Sequence, residues 1–392
     1  MADPVAIQGG SITAASRPSR PHALAPLAAI AIEPWRALAD RAIEPNGYYL
    51  PEWELAVNAS AAGRTDAAVL QAWSDSAGTP HLIGLLPAIS AWRAYRMPLP
   101  VLVSAHPYGT LTTPLLDRDL AHDAVRGLMD QARLAGARAL VLRDMSLDGL
   151  AMRAIDAVLA ERGTAARVLQ SHARASLDAT RDADELLRGG IGAKKLKELR
   201  RQRHRLAEQY GAVAFDVARA PGDVGAALEV FLTLEASGWK GQRGTALAQD
   251  AGDAAFIRRA AVALVERGAC EIVTLRAGTT PVAAAILLRH LDRAFYFKLG
   301  IDERFAKFSP GVQLTLDLTR HLCADPTIVS ADSTATAGHP MIDPIWRERL
   351  AIGDVLIPLR SDDPMAGMIF TALKLRQSAM DGLRSVVRKI RS

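Results

Sequence analysis

The chain has 392 residues, of which 49% are hydrophobic and 23% charged, with 47 Lys plus Arg against 42 Asp plus Glu. This length and composition are typical of a globular protein large enough for two domains, and they exclude a chain that is disordered throughout. The small basic excess permits an anionic ligand but does not by itself indicate nucleic acid. The two cysteines, Cys270 and Cys323, lack the spacing of a disulfide framework or a metal site, and they favour a reducing compartment.

No apolar run approaches the roughly 20 residues that are needed to span a bilayer. Residues 1–22 are rich in Ser, Pro, Gly and Ala, and they are predicted to form a disordered tail. The apolar residues 23–32 follow several basic residues, as in a targeting segment, but the run is short and broken by Pro26. We interpret it as a first strand and expect the protein to be cytoplasmic.

The first half of the chain shows three strands, a helix and a strand in succession. Residues 34–42 predict a helix, and Pro51 opens a second one. The β-rich runs lie at 67–73, 81–91 and 99–104, and they are followed by a helix at 120–135 and a strand at 139–142.

A glycine-rich hinge at 189–192 precedes a basic helix at 194–206. The leucines of this helix and Arg203 fall on one side, and its other lysines and arginines lie elsewhere on its surface. The basic face is either a platform for a polyanion, such as tRNA, an anionic glycan or the phosphates of coenzyme A, or simply a solvated surface between domains. The absence of interleaved aromatic residues weakens the interpretation as a single-strand nucleic-acid site.

The second half repeats the order of elements seen in the first half. After a strand at 213–217, a helix at 223–237, a Gly-rich loop at 239–245 and a helix at 253–266, three strands are predicted at 270–276, 282–289 and 294–300. A helix that begins near Pro310 and a strand at 328–332 follow, then a strand at 355–359 and a helix at 364–390. The repetition, at an offset of about two hundred residues, predicts an internal duplication.

The two copies differ where the helix begins. In the second copy Ser309 is predicted to cap the helix, Pro310 to occupy its first position, and Gly311 to leave room beside it. Unpaired N–H groups and the positive end of the helix dipole would then face the strand ends, where a phosphate could bind. The first copy has the bulkier run 108–114 instead, so we expect it to have lost this site and to serve as a structural or acceptor-positioning partner.

The Ser309-Pro310-Gly311 turn, the Trp239-Lys240-Gly241 run and Asp332 at a strand end resemble the acyltransferase domain of the GNAT superfamily. The resemblance covers about residues 194–358, and it points to the subgroup of cellulose-biosynthesis acetyltransferases of the CelD type, which is related to the Fem peptidyltransferases. It implies tandem GNAT-like α/β (α+β) domains with mixed, mostly antiparallel sheets flanked by helices. The usual GNAT pyrophosphate signature, Arg/Gln-x-x-Gly-x-Gly/Ala, is replaced here by the Ser-Pro-Gly turn.

The resemblance also implies site residues. The pyrophosphate cradle would be Ser309, Pro310, Gly311 and Val312, with Lys307 and Arg304 close enough in sequence to meet phosphates. The oxyanion would bind a backbone N–H near Leu299 or Gly300. Candidates for the base are Asp332 and His339, and Trp239 and Lys240 would lie near the acyl group or the acceptor. Each candidate also has a purely structural interpretation. The Ser-Pro-Gly turn could be only a helix start, Asp332 a loop anchor and His339 a loop histidine. Trp239 and Lys240 could be a buried Trp beside a surface Lys.

Other enzyme classes lack support, because the chain has no Walker P-loop, no Gly-x-Ser-x-Gly elbow, no His-Glu-x-x-His motif and no cysteine pairs. No metal is therefore expected. The predicted organisation is a tail at 1–22, a degenerate GNAT-like domain at 23–188, a hinge and basic linker helix at 189–210, a GNAT-like acyltransferase domain at 211–362 and a basic amphipathic helix at 363–392. The last helix either packs on its own domain or lies on an anionic membrane surface.

Three functions remain open on the sequence. The first is transfer of an acyl group, with acetyl-CoA as the expected donor, to an amine or hydroxyl of a sugar, a polysaccharide precursor or a similar small acceptor. The second is Fem-like aminoacyl transfer from charged tRNA. The third is a non-catalytic accessory role in an envelope or exopolysaccharide system. Nothing in the sequence identifies the acceptor.

Overall fold

The computed structural model describes residues 23–391 except 76, 77 and 79, and the side chains at 239, 240, 381 and 383–391 lie outside the described part. The strands are β1 (Ala25–Pro26), β2 (Ala68–Ser74), β3 (His81–Ser90), β4 (Val101–Ser104), β5 (Leu115–Leu116), β6 (Ala139–Ser146), β7 (Arg167–Asp178), β8 (Val213–Ala218), β9 (Cys270–Ala277), β10 (Thr280–His290), β11 (Arg293–Ile301), β12 (Ser330–Asp332) and β13 (Glu348–Pro358). The helices are α1 (Ile32–Asp40), α2 (Pro51–Ser60), α3 (Ala91–Tyr95), α4 (Ala121–Leu134), α5 (Leu150–Glu161), α6 (Ala183–Tyr210), α7 (Pro221–Ser237), α8 (Trp239–Gln242), α9 (Ala251–Glu266), α10 (Pro310–Cys323) and α11 (Pro364–Arg391).

The strand pairing confirms the internal repeat. In the first half β2, β3 and β4 are antiparallel neighbours, α4 follows, and β6 lies parallel to β4. In the second half β9, β10 and β11 are antiparallel neighbours, α10 follows, and β12 lies parallel to β11. The architecture is therefore a tandem α/β fold with mixed, mostly antiparallel pairing, as the sequence predicts.

The two halves exchange their last strands. Strand β7 follows β6 in the chain, but it pairs with β12 of the second half. Strand β13 follows β12, but it pairs with β6 of the first half and also with β7. The exchange joins both halves in one sheet with the order β1-β2-β3-β4-β6-β13-β7-β12-β11-β10-β9-β8, and β5 pairs with β3 off this path. Strand pairing thus crosses the predicted domain boundary three times.

Several predicted elements differ from the structure. Within the predicted strand at 23–32, only Ala25 and Pro26 pair as a strand, and a 3₁₀ turn follows at Leu27–Ala29. The predicted Gly-rich loop at 239–245 begins instead with the short helix α8. The hinge and the basic helix belong to one helical span, α6, whose regular backbone is interrupted at Gly192 with φ 79° and ψ 154°. Glycine adopts this positive φ without the steric cost of a Cβ.

The two faces of the second half of the sheet carry separate apolar cores. Residues of β10 alternate between them, with Ala284, Ile286 and Leu288 on the face covered by α7 and α9. The intervening Ala283, Ala285 and Leu287 pack on the opposite face, where α6 and α10 lie. A strand that is buried on both faces reads as a continuous apolar run, which is the pattern of β10 in the sequence.

Glu54 on α2 gives a prediction about stability. Its side chain is buried, its Oε2 has no hydrogen-bond partner among the described residues, and burial raises the pKa of its carboxyl well above the ordinary value. The folded protein therefore holds this proton at pH values where the unfolded chain has lost it, so the contribution of Glu54 to stability is present below the unfolded pKa and is lost as the pH rises towards the folded pKa.

We expect Glu54→Gln, which cannot ionise, to be more stable than the wild type by about 1–3 kcal/mol at pH 8 and to differ little at pH 4.5. Urea unfolding of both proteins at the two pH values measures the difference. A difference that does not change with pH would contradict the proposed protonation.

Candidate functional site

A β-bulge in β11 places two successive side chains on one face of the sheet. The register between β10 and β11 shifts between Ile286 and Leu287, which leaves Phe297 as an extra residue. Phe297 packs against the core on the α7 face, and Lys298 also reaches α7, whereas Leu299 packs on the α10 face. Bulges of this kind redirect side chains near functional sites.

Strands β11 and β12 pair over a short distance and then separate. Their parallel register starts at Arg293 with Ser330 and ends at Phe295 with Asp332, while β11 continues to Ile301. The later residues of β11 therefore border an opening between the strands, and the start of α10 lies beside it. The segment after β12 still contacts β11 through Thr334, whose Oγ1 donates to the carbonyl of Tyr296 at 2.6 Å, so the part of β11 without a ladder partner on this side begins after Tyr296.

The hydrogen bonds between β10 and β11 also distinguish the two predicted oxyanion donors, Leu299 and Gly300. The N–H of Asp302 donates to the carbonyl of Val282 on β10 at 3.0 Å. Since N–H groups alternate in direction along a strand, the N–H of Gly300 points towards β10 as well, and that of Leu299 points towards the opening. Of the two predicted residues, Leu299 has the orientation that the predicted role requires.

The start of α10 differs in detail from the prediction. Pro310 is the first helical residue, as predicted, but the side chain of Ser309 makes no capping hydrogen bond, and its backbone lies in the left-handed region with φ 53°. The predicted capping role of Ser309 is therefore wrong. The carbonyl of Ser309 accepts the first intrahelical bond, from the N–H of Gln313 at 3.0 Å. The N–H groups of Gly311 and Val312 precede that bond, as expected for the first turn of a helix.

Gly311 packs closely against β11. A Cβ at this position would lie 3.0 Å from Cδ2 of Leu299 and 3.2 Å from Cγ2 of Ile301. The small residue lets the helix approach the strand closely, so the room that the sequence predicts beside Gly311 is filled by these side chains. A bulky substitution here would disturb the fold as well as any ligand.

The two predicted phosphate cations lie on the 3₁₀ turn Glu303–Phe308 before the helix. The exposed Lys307 has its Nζ 3.4 Å from Oε1 of Gln209 at the end of α6 and 4.8 Å from the ring centroid of Phe308. Arg304 is exposed too, but its Nη2 donates to Asp302 at 2.7 Å. Lys307 is thus held between α6 and the turn that leads into α10, whereas Arg304 is engaged by its neighbour.

Asp332 lies at the join between the exchanged strands. Its side chain is 1% exposed and forms an ion pair with Arg174 of β7, which is equally buried. The other carboxylate oxygen accepts the N–H of Thr334 at 2.8 Å, and Arg174 donates to the carbonyl of Thr110 at 2.6 Å. Both oxygens of Asp332 are therefore bonded to groups that hold this region together, which favours the anchoring role over proton transfer.

His339 lies on the loop between β12 and β13, which packs beside the start of α10. The half-buried imidazole accepts the N–H of Met341 at 3.4 Å through Nδ1. The Sδ of Met341 would lie 3.5 Å from a Cβ at Gly311, and Trp346 at the end of the loop donates to Thr319 of α10 at 3.0 Å. The structure thus brings the loop that carries His339 to the helix start that was predicted as the phosphate cradle.

The side chains of Trp239 and Lys240 lie outside the described part of the structure, so their predicted role stays a prediction. Their backbone is described as the beginning of α8. The preceding Gly238 lies beside the end of β11, because a Cβ there would be 3.7 Å from the carbonyl oxygen of Ile301. The run is therefore close to the same strand end as the other predicted residues.

A cluster of polar side chains on the α7 face was not predicted. Lys298 Nζ donates to Oε1 of the buried Glu235 at 3.0 Å, and it lies 5.8 Å from the ring centroid of Tyr108, which comes from the first half. The guanidinium of Arg64 lies 4.2 Å from the same ring. Burial, together with a hydrogen bond to Asp253, raises the pKa of Tyr108. The cluster thus brings charged groups from both halves to the bulge.

The sequence does carry a signal for this cluster. Lys298 interrupts the apolar aromatic strand 294–300, and Glu235 lies on the largely apolar helix at 223–237. Charged residues at positions that the pattern assigns to the core are seldom buried without a partner. Two such residues in neighbouring elements therefore indicate a buried pair.

Comparison with known protein families supports the class that the resemblance in the sequence implies. Residues 193–332 match the family model described as an acetyltransferase (GNAT) domain. The chain therefore carries a GNAT-type acetyltransferase domain, whereas the finer resemblance to the CelD type stays a prediction.

Solved structures share the fold over most of the chain. The structure of FemX is 11% identical, has a TM-score of 0.56, and matches over 87% of this chain and 98% of that one. The C-terminal domain of an Agrobacterium fabrum protein described as a lysylphosphatidylglycerol synthetase is 13% identical, with a TM-score of 0.52 and 87% and 95% of the two chains covered. A Bacteroides thetaiotaomicron protein of unknown function is 13% identical, with a TM-score of 0.51 and coverage of 84% and 98%. Comparison with curated proteins gives no significant match.

Two further findings concern metals and membranes. Within the described residues, no three His, Cys, Asp or Glu side chains are grouped so that they could hold a metal ion. None of the helices in the described part of the chain is long and apolar enough to cross a membrane.

Proposed function

We propose that this protein is a cytoplasmic acyltransferase that uses an acyl-CoA, with acetyl-CoA as the expected donor, and transfers the acyl group to an amine or hydroxyl of a sugar, a polysaccharide precursor or a similar small acceptor. The observation that carries the proposal is the start of α10 beside the opening between β11 and β12. A diphosphate needs N–H donors and positive charge, which a helix start supplies. A reacting thioester needs a hydrogen-bond donor, which a strand edge can supply. Here the helix start and the edge of β11 lie side by side.

The donor binds on the α10 face. Its diphosphate would meet the N–H groups of Gly311 and Val312 and the ammonium of Lys307, with Ser309 and Pro310 shaping the turn. The thioester would lie along the opening, on the Leu299 side of β11. The acceptor nitrogen or oxygen attacks the carbonyl carbon, the C–S bond breaks, the acceptor loses a proton and the departing thiolate takes one up.

The acceptor would bind on the α7 face, where residues of both halves meet at Lys298. Lys298 supplies a cation there, Glu235 holds it in position, and the rings of Phe297 and Tyr108 provide apolar surface. Trp239 and Lys240 begin the neighbouring helix α8 and would line the same side. His339 on the α10 side is the proposed proton acceptor, which the attacking group would reach through the opening between β11 and β12, since Asp332 is already bonded through both oxygens.

A charge substitution at Ser309 tests the donor site. Ser309 has φ 53°, a conformation that Asn and Asp tolerate better than most residues. Ser309→Asp places a negative charge at the helix start, so we expect its affinity for acetyl-CoA to fall about tenfold or more, because the charge repels the diphosphate. The matched variant Ser309→Asn keeps the shape without the charge and should bind within about threefold of the wild type.

Calorimetric titration of acetyl-CoA into the three proteins measures this effect. Equal binding by all three would show that the donor lies elsewhere. The absence of binding by the wild type would instead favour the non-catalytic accessory role or the donor considered next.

A second candidate function is aminoacyl transfer from charged tRNA. The observation that favours it is the exposed basic surface of α6 beside α10, formed by Lys194, Lys195, Lys197, Arg200, Arg201, His204 and Arg205. The leucines of this helix are buried, and Arg203 is bonded to Asp317 of α10 at 2.7 Å, so the helix has a fixed position next to the proposed donor site. Binding of tRNA that weakens steeply as salt is added, and that is lost when Arg200 and Arg201 are changed to Gln, would support this candidate.

A further inference from the structure

A cavity lies between the two halves, at the opposite end of β11 from the proposed donor site. It has a volume of about 500 Å³, and its walls come from α1 and the start of α2 on one side and from β9, β10 and the loop after α10 on the other. His290 and Leu291 line it just before β11 begins, whereas α10 starts beside Leu299 and Ile301 at the far end of that strand. The nine residues of β11 contain eight steps of about 3.3 Å, so the two places lie roughly 25 Å apart.

The deep part of the cavity holds carboxylates that are already paired. Glu271 is 1% exposed and lies 3.3 Å from a guanidinium nitrogen of Arg219, 3.5 Å from one of Arg289 and 3.2 Å from Nε2 of His321. Arg289 also donates to Asp325 at 2.6 Å. Glu271 and Asp325 fix the orientation of Arg219 and Arg289, and their negative charge is balanced by these guanidinium groups.

Four arginines and four carboxylates line the cavity, but its exposed part carries more arginines than acids. The side chains of Arg219 and Arg267 are 55% and 45% exposed and that of Arg36 is 32% exposed. Among the lining acids Asp40 is 66% exposed and pairs with Arg267 at 3.4 Å, whereas Glu52, the partner of Arg36, is 6% exposed. Each of these arginines uses only part of its guanidinium in the described contacts, since Arg219 and Arg267 bond through Nη2 and Arg36 through Nε and Nη1. An entering ligand therefore meets three guanidinium groups that still have N–H donors and are held in place by carboxylates behind them.

We propose that this cavity binds a small molecule that carries phosphate or carboxylate groups, at a site separate from the acyl-transfer site. Guanidinium groups bind such anions through paired N–H donors, and a cluster of three favours a ligand with more than one negative charge. The ligand would contact Arg36 of the first half and Arg219 and Arg267 of the second half. Its binding therefore links the two halves and stabilises the folded chain.

Titration of the full-length protein with inorganic pyrophosphate tests the proposal, and citrate serves as the carboxylate probe. The test variant is Arg219→Gln/Arg267→Gln, and the control is Arg258→Gln, which removes an exposed arginine of α9 that is paired with Glu229 outside the cavity. Because pyrophosphate could also meet the helix start, the titrations are carried out on the Ser309→Asp background as well. We expect saturable binding and a rise in Tm for the wild type and the control, and at least a tenfold loss of affinity in the double variant on both backgrounds.

The relative response to the two probes distinguishes a phosphate ligand from a carboxylate ligand. Affinity that is unchanged in the double variant, or a wild type that binds neither probe at millimolar concentration, would overturn the proposal. Arg36→Gln provides an independent variant from the first half if the double variant fails to fold. Acetyl-CoA should bind the double variant as it binds the wild type, so the outcome here is independent of the proposed acyl transfer.

Discussion

Replacing Lys298 with methionine is expected to lower the rate of acyl transfer by about 100-fold to 1,000-fold while leaving the affinity for acetyl-CoA within about twofold. The ammonium of Lys298 lies on the α7 face beside the bulge, where the acceptor is proposed to bind, and Glu235 holds it at 3.0 Å. Methionine keeps the length and apolar stem of the side chain but removes the charge. The effect should therefore appear in transfer and not in donor binding.

Lys307→Met is the matched control for this prediction. Lys307 lies on the turn before α10, beside the proposed diphosphate position, so its loss should weaken the binding of acetyl-CoA and change transfer little at saturating donor. Calorimetry and single-turnover kinetics on both variants separate the two effects. If Lys298→Met transfers at the wild-type rate, the acceptor is not bound on the α7 face. Thermal unfolding must accompany the measurement, because the variant leaves Glu235 buried without this partner.

The second prediction concerns the ion pair between Arg174 and Asp332. Removing one partner leaves a buried charge uncompensated, so Asp332→Asn and Arg174→Met should each lower the free energy of unfolding by about 3–5 kcal/mol. The double variant should lose less than the sum of the single losses, because neither buried charge then remains. Urea unfolding of the four proteins gives the coupling energy.

The same variants decide the role of Asp332. If its function is to anchor the join between β7 and β12, the loss of activity should follow the loss of folded protein, and Arg174→Met should behave in the same way. An Asp332→Asn protein that folds with wild-type stability but no longer transfers the acyl group would instead identify Asp332 as the base.

The repeat could be predicted because its signals are local. Turn residues separate the strands, and Pro310 marks the beginning of α10, so short stretches of sequence suffice to place these elements. The exchange of β7 and β13 could not be predicted in this way, because the partner of a strand is set by contacts between residues far apart in the chain. Strand β7 also lacks a regular apolar alternation, with several exposed residues between Arg167 and Arg174.

The candidate site was predicted only in part for the same reason. The structure brings the helix start, the end of β11 and the loop with His339 near one another, while their roles in binding and catalysis stay predictions. The partner of Asp332, in contrast, is Arg174, which lies 158 residues earlier. The bulge that turns Lys298 towards α7 depends on the register between β11 and β10. That register cannot be predicted from the sequence of β11 alone.

The exchange of strands has a consequence for how the chain folds during synthesis. The first half cannot complete its part of the sheet when its own residues leave the ribosome, because the strand that covers β6 is β13 near the end of the chain. The edge of β6 stays unpaired during most of translation, and unpaired edges are sites of misassociation. Contacts between such distant segments slow folding, so the last step is expected to be the late insertion of β13 between β6 and β7.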